Sequence, residues 1–435
     1  MRKMKDSGIE WIGEIPENWK VERLKWILNE RKEKNEPQKT DFILSLGVSY
    51  GVIPYSEKEG GGNKAKETLT EYKLAYLNDI VMNSMNIISG SVGISRYFGC
   101  VSPVYYVFYT YNEKCNSTYY YYLFQTTTFQ RSLIGLGNGI LIKESSNGNF
   151  NTVRMRIPME KLGIQLLPLP TASEQQKISA FLDRKCTEID SVISKTKATI
   201  EEYKKLKQSV ITQAVTKGII PNRPMKDSGI EWIGEIPQEW EVIKMKYLGK
   251  CRNGLTYSPD NLTDENNGTL VLRSSNIKDG KLVFTDNVYV NMNIRKELLV
   301  QSGDILICSR NGSRKLIGKN AIIPSNLKAS FGAFMMIFQC KTPEYVKFIL
   351  DSEIFSYYLG TFLTATINQL TTENFNNMQI VYCRNENEQQ EIVNYLDEKC
   401  SEIDKLIAKK EQLLTEMENY KKAVIYEYVT GKKEV

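Results

Sequence analysis

The chain contains one 13-residue segment twice. Met4–Pro16 reads MKDSGIEWIGEIP, and Met225–Pro237 repeats it without a change. Trp19, Val21 and Lys25 recur beyond it as Trp240, Val242 and Lys246. A second pair follows the same logic. Ser173–Ile193 (SEQQKISAFLDRKCTEIDSVI) returns as Asn387–Ile407 (NEQQEIVNYLDEKCSEIDKLI), identical at 12 of 21 positions. The stretches between these pieces, roughly Val21 to Leu167 and Val242 to Cys383, barely resemble each other. A chain written this way builds one scaffold twice and mounts two different inserts on it. That arrangement suits recognition of something long and two-part.

The inserts read as mixed α/β. Apolar runs predict short strands at Phe42–Val48, Ile80–Met82 and Val101–Phe108 in the first, and at Leu270–Arg273, Asp304–Cys308 and Met335–Phe338 in the second. Glycine clusters such as Gly60-Gly61-Gly62 separate them. Two correspondences suggest a common fold: Asn78-Asp79-Ile80-Val81 with Gly303-Asp304-Ile305-Leu306, and Tyr122-Leu123-Phe124 plus Phe129 with Phe348-Ile349-Leu350 plus Phe355. The tyrosine run Tyr119–Tyr122 has strand propensity. Its counterpart PEYVKFILDSEIFSYYLG opens with Thr342 and Pro343 and reads as one helix, so both are assigned helical.

Each insert ends before a long helix. In the first copy Ser173 and Gln176 form a capping-box pattern. Apolar residues then recur at helical spacing through Ile178, Leu182, Ile189, Ile193, Ile200, Tyr203, Leu206 and Val210. The second copy gives Ile392, Leu396, Ile403, Ile407, Leu414, Met417, Tyr420 and Val424, without insertion. Each helix spans roughly 45 residues, or about 65 Å, and Gly218 and Gly431 stand where C-terminal caps belong. Helices this long with one apolar stripe need a partner helix, and the other copy supplies it. Pro221-Asn222-Arg223-Pro224 reads as the turn that starts the second copy. The expected fold class is α+β: two α/β domains separated by a long antiparallel two-helix coiled coil, with pseudo-two-fold symmetry.

The 435-residue length accommodates two to four domains. No apolar run reaches the length of a membrane span and no secretory leader is evident, which sets the expectation at cytoplasm. The eight cysteines form no short-spaced pair and read as reduced thiols, with Cys186 and Cys400 as small buried hydrophobes. Histidine is absent from the sequence, which removes Ser-His-Asp and Cys-His catalysis and any His-ligated metal. There is no GxxxxGK[ST] phosphate loop and no NPPY-like methyltransferase motif. Gly135–Gly139 (GLGNG) follows no convincing strand and opens no capped helix, and the helix carboxylates, such as Glu188 and Asp190, read as a solvated face. No catalytic constellation, cofactor site or metal site is expected.

The basic and amide residues of the inserts are more informative. Lys64, Lys66, Arg96, Lys143, Asn147, Asn149, Arg154 and Arg156 lie in the first. Arg252, Asn253, Arg273, Asn276, Lys278, Arg310, Asn311, Arg314 and Lys315 lie in the second. Many fall in predicted loops, as in KESSNGNFNTVR, LRSSNIKDG and CSRNGSRK. Arg, Asn and Gln are the side chains that address guanine and adenine bidentately, while Lys, Ser and Thr favour phosphates. Two such inserts on one symmetric scaffold, at a net charge of +6, make double-stranded DNA the expected ligand.

Taken together, DSGIEWIGEIPENW and DSGIEWIGEIPQEW, PLPTASEQQKISAFLDRKCTEID and NEQQEIVNYLDEKCSEID, and NDIVMNSMNIISGSVGIS and GDILICSRNGS resemble the specificity subunits of type I restriction–modification systems. The resemblance covers essentially the whole chain. The second helix lacks the PLP that precedes the first and has VYCRNE instead. The family implies residues 1–168 and 223–383 as two target-recognition domains, and 169–222 and 384–435 as a central and a C-terminal conserved helix. It implies a non-catalytic subunit that reads a bipartite site. It also implies two modification (methyltransferase) subunits and motor-nuclease restriction subunits as partners. The alternative expectation is a standalone DNA-binding regulator.

Overall fold

The computed structural model describes residues 2–58, 65, 68–110, 114–140, 154–363 and 368–435. Contacts divide the chain into two units: residues 1–196 with 412–435, and residues 197–411. The long helices Ala172–Lys217 and Glu386–Val429 therefore each contribute one part to either unit.

The two units are built alike. The first centres on an antiparallel four-stranded sheet in the order Asn29–Glu30, Tyr105–Tyr109, Ile80–Asn83, Val92–Ile94. The second repeats it as Gly249–Asn253, Met335–Cys340, Ile305–Cys308, Asn320–Ile322. The matched sequence pieces explain one end of this sheet. Asn78 and Gly303 adopt positive φ (67° and 82°), and the next residue is a buried aspartate. Asp79 Oδ2 accepts from Tyr76 N at 2.8 Å and Asp304 Oδ2 from Gln301 N at 2.9 Å. Asp79 also takes a two-pronged ion pair from Arg31, at 2.7 and 3.1 Å, and Asp304 pairs with Arg252. The units differ further out. In the second, Thr269–Leu272 pairs in parallel with Ala329–Phe331 inside a second four-stranded sheet. In the first, among the described residues, a single parallel bridge, Ile43–Cys100, occupies that place.

Several sequence expectations need correction. Val101–Phe108 is two strands, Gly99–Val101 and Tyr105–Tyr109. Pro103 has no N–H for a ladder, and a turn closes between them with Tyr105 N donating to Ser102 O at 3.0 Å. The helical stretches are also split. Ser117–Gln125 and Thr127–Ser132 are separated by Thr126, and Pro343–Leu350 and Glu353–Phe362 by Asp351-Ser352. Thr126 and Ser352 each turn the hydroxyl back on the carbonyl three residues earlier, at 2.7 and 2.6 Å, which diverts the backbone from the helix. The capping box of the first long helix is Thr171 with Glu174, not Ser173 with Gln176: Glu174 N donates to Thr171 Oγ1 and Thr171 N to Glu174 Oε2. In the second long helix Asn385 caps Asn387 and Glu388.

The doubled segment is a β-hairpin, Met4–Ile9 with Gly13–Pro16 and Met225–Asp227 with Glu235–Pro237. Its following tryptophan is fully buried in both units. Trp19 Nε1 donates to Glu174 at 3.2 Å and Trp240 Nε1 to Glu388 at 3.3 Å. Arg2 and Arg223 bind the same two carboxylates. Each hairpin is thus clamped to the start of a long helix through a buried ring, a carboxylate and an arginine. Burial alone would raise the Glu174 carboxyl, but its hydrogen bonds from Arg2, Trp19 and Thr171 outweigh it and hold it at about 2. The Glu388 carboxyl is lowered in the same way against burial, by Arg223, Cys383 and Trp240.

Each clamp also receives the end of the opposite long helix. Gly431 (φ 71°) lies where a Cβ would stand 2.5 Å from Pro16 and 3.0 Å from Trp19. Gly218 (φ 75°) lies where it would meet Arg223 at 2.8 Å and Trp240 at 3.4 Å. Both left-handed caps therefore favour glycine by conformation, and Gly431 requires it for space as well. Within each unit the helix segments run antiparallel. In the first, Phe181 packs on Tyr428 (4.3 Å between ring centroids) and Lys421 reaches Asp190 at 2.7 Å. In the second, the equivalent Lys207 reaches Asp404 at 2.7 Å. The stripe is narrower than its sequence pattern: Leu206 and Tyr420, one repeat apart, are half exposed. All eight cysteines are free thiols. Burial pushes those of Cys186 and Cys400 up to about 11. Among the described residues no helix is long and apolar enough to cross a membrane.

Candidate nucleic-acid interface

The central sheet has two ends. Asp79 and Asp304 mark one. At the other, the strand that follows each aspartate runs into a serine, Ser84 or Ser309, which fixes an exposed edge. Ser309 donates through Oγ and N to Phe334 O, both at 3.0 Å, and accepts from Leu370 N at 2.7 Å. Ser84 does the same in the first unit, with Oγ to Val104 O at 2.6 Å and Ile157 N to its carbonyl at 3.0 Å. One frame is therefore built twice, and it aligns the side chains of the edge pairwise. Met85, Asn86, Val104 and Arg156 occupy the first edge; Arg310, Asn311, Phe334 and Gln369 occupy the second.

The two edges carry different chemistry. On the second, the Arg310 guanidinium lies 5.2 Å over the Phe334 ring, which is 58% exposed. Stacking on a ring preorganises an arginine while leaving its donors free. Asn311 donates to Ser274 at 3.0 Å and so ties this loop to the turn Ser274–Asn276. Arg314 is exposed and donates to Gly360 O at 3.2 Å; Lys315 beside it is exposed. The first edge is concave and mixes polar with apolar side chains. It borders a cavity of about 380 Å³ lined by Ser45, Asn83, Met85, Asn86, Ser102 and Tyr105 among others. Burial raises the Tyr105 hydroxyl, which keeps it a neutral donor and acceptor.

The residues anticipated from sequence divide into three groups. Arg310, Asn311, Arg314 and Lys315 come together on the second edge. Arg273 and Asn276 lie next to it but serve the fold. Arg273 pairs with Asp286 at 2.8 Å. Asn276 is fully buried, accepts from Arg273 N at 2.9 Å and donates to Val283 O and Asn287. Arg252 belongs to the opposite end of the sheet, held by Asp304 and by Glu297 O at 2.6 Å. Burial raises the Asp304 carboxyl despite that partner, so the pair is a structural element equivalent to Arg31–Asp79. Asn253 is exposed at the end of the same strand as Arg252, opposite Met336, and Arg96 is exposed just beyond the strand end that pairs with Ile80, on the aspartate side. Arg154 lies in the strand Arg154–Arg156. Lys64, Lys66, Lys143, Asn147 and Asn149 lie outside the described residues. Met85, Asn86, Val104, Phe334 and Gln369 were not anticipated, because a search for charge passes over them. The available signal was spacing: Ser84 and Ser309 each stand five residues after the paired aspartate. Among the described residues no cluster of His, Cys, Asp and Glu is placed to hold a metal ion.

One framework carried twice, with two chemically distinct edges, defines a double recognition module. The chain belongs to the family of the type I restriction modification DNA specificity domain, whose pattern matches it twice, over residues 16–202 and 237–416. It is 26% identical over 275 residues to the type I restriction enzyme MjaVIII specificity subunit of Methanocaldococcus jannaschii, covering 61% of each chain. It is 27% identical over 209 residues to the StySPI specificity subunit of Salmonella potsdam, covering 46% of this chain and 44% of that one. The chain thus spans less than two thirds of these curated relatives in matched sequence. Its fold is similar to a solved chain from work on the assembly and conformational transition of a type I R-M system, with a TM-score of 0.70 at 14% identity, over 96% of this chain and 99% of that one.

Proposed function

We propose that this chain is the specificity subunit of a type I restriction–modification complex and reads a bipartite, asymmetric DNA site, one half per unit. The observation that carries this reading is the twice-built edge whose side chains diverge at three of four paired positions. A homologous pair of frames presents Met85, Asn86, Val104 and Arg156 in one unit and Arg310, Asn311, Phe334 and Gln369 in the other. Base edges in the major groove are distinguished by such donor, acceptor and apolar patterns. Arg310 and Asn311 suit a purine, Arg for guanine and Asn for adenine. Arg314 and Lys315 suit the phosphates beside it. The long helices would set the unread gap, since half-sites about 10–10.5 base pairs apart present one face of the duplex.

On this reading the chain supplies address and no chemistry. Two modification subunits would dock on it and methylate adenine, which requires the base to leave the stack. Motor-nuclease subunits would add cleavage, and the complex would work in the cytoplasm. The test is methylation mapping by long-read sequencing, in a host lacking adenine methylases, with this chain and its modification subunit co-expressed. A motif of two short specified halves around a fixed gap is the expected result. A stable complex without methylation, together with tight sequence-specific binding by the chain alone, would replace this reading with a standalone regulator.

A further inference from the structure

Trp26 and Tyr247 are the most exposed aromatic side chains among the described residues, at 68% and 72%. They occupy the same place in the two units. Each follows a buried residue anchored by one backbone bond, Leu24 N to Gln165 O at 2.9 Å and Met245 N to Met378 O at 3.0 Å. Each carries the ammonium of the preceding lysine over its ring, Lys25 at 5.4 Å and Lys246 at 5.2 Å.

The surroundings of these pairs have diverged. The strand residue paired with Arg23 is Leu166, and with its counterpart Lys244 it is Gln379. Ile164 and Leu166 are exposed in the first unit, Asn377 and Gln379 in the second. The edges at Met85 and Arg310 have diverged as well. A ring with a lysine across it is kept where no packing within the unit requires it and where water disfavours it. Its place is also informative. Asn29 pairs with Tyr109 and Gly249 with Cys340, the last residues of their strands, whereas the candidate DNA edges lie where those strands begin, at Tyr105 and Met335. The ring and the DNA edge thus face opposite ends of one sheet.

We propose that Lys25–Trp26 and Lys246–Tyr247 are twin docking points, each taking one copy of the same protein subunit. The feature occurs once per unit, in keeping with the two modification subunits of that reading. A flat ring under an ammonium, with exposed Lys20 and Arg23 beside it in one unit and Lys250 in the other, fits an apolar slot bordered by carboxylates. The inference rests on the specificity-subunit reading, in which two modification subunits join this chain.

The experiment uses the full chain with purified modification subunit, counting copies by native mass spectrometry and titrating their affinity. Trp26→Ser and Tyr247→Ser are examined singly and together, with Lys25→Glu and Lys246→Glu as charge reversals. Both rings are exposed, so unchanged melting temperatures are expected and serve as the folding control. Each single variant should keep one subunit at full strength and weaken the other on the order of tenfold or more, the scale of an aromatic hot spot. The double variant should weaken both. Undiminished affinity at both sites overturns the proposal. So does normal assembly with a uniform loss of affinity for all DNA sequences, which would assign the surface to phosphates. A wild-type chain that takes up no modification subunit at all contradicts the specificity-subunit reading itself.

Discussion

The clamp and the edge make opposite use of duplication. At the clamp, Trp19, Glu174 and Arg2 in one unit match Trp240, Glu388 and Arg223 in the other, residue for residue. At the edge, the serine frame and the asparagine two residues on (Asn86, Asn311) are kept, and the other three side chains are replaced. The difference shows which residues answer to the fold and which are free to answer to a ligand. A buried, mutually bonded group cannot change alone, because its partners would be left unsatisfied. An exposed group held only through its backbone can.

The comparison can be broken first at the clamp. Trp19→Ala and Trp240→Ala should each destabilise their own unit by about 3–5 kcal/mol, the range for emptying a buried aromatic site. Calorimetry should show equal losses, and a tolerant Trp240 would contradict the equivalence. The aspartate end comes next. Arg31→Ala and Arg252→Ala leave a buried carboxylate unpaired and should each cost about 3 kcal/mol, the low end for such a break. Equal melting shifts would confirm Arg252 as structural; a loss of DNA affinity at unchanged stability would return it to the interface.

Acid should act on the clamp in a definite direction. The Glu174 carboxyl sits at about 2 in the folded chain, against an ordinary value near 4.5. A depressed carboxylate stabilises fully above its unfolded value and loses that contribution as pH falls toward its folded one. Stability should therefore decline from about pH 4.5 to 2. Discounted for partial exposure, the decline is on the order of 1–2 kcal/mol, and Glu174→Gln should flatten it in denaturation series across that range. The smallest effects belong to the helix pairs. Lys207–Asp404 and Lys421–Asp190 are solvent-accessible, so breaking either should cost about 0.2–1 kcal/mol and less in high salt. A double-mutant cycle would sharpen the match between them.

Much of this architecture was legible because identity over a repeat reports buried, interlocked residues. The two glycine caps and the long helices follow from the doubled text, whereas the hairpin made by its first segment was not read from it. The helix start was misplaced by two residues because Ser173/Gln176 and Thr171/Glu174 share one spacing, and only the clamp decides which glutamate or glutamine is used. Leu206 and Tyr420 obey the apolar period yet stand half exposed, since periodicity marks a face and not the width of its cover. The edges were the least legible part. Arg310 and Asn311 stood out by type, but Met85, Val104, Phe334 and Gln369 become neighbours only when strand ends are brought together by register. Charge, conversely, drew in Arg252, whose neighbour Asp304 is 52 residues away in sequence.

The most direct measurement is the methylation motif of an Arg310→Ala, Gln369→Ala chain beside that of the unaltered chain, each co-expressed with the modification subunit. Two independent edges predict that one half of the motif loses specificity at one or two positions while the other half and the gap stay the same. A change in both halves together, or an unaltered motif, would contradict the assignment of one reading edge to each unit.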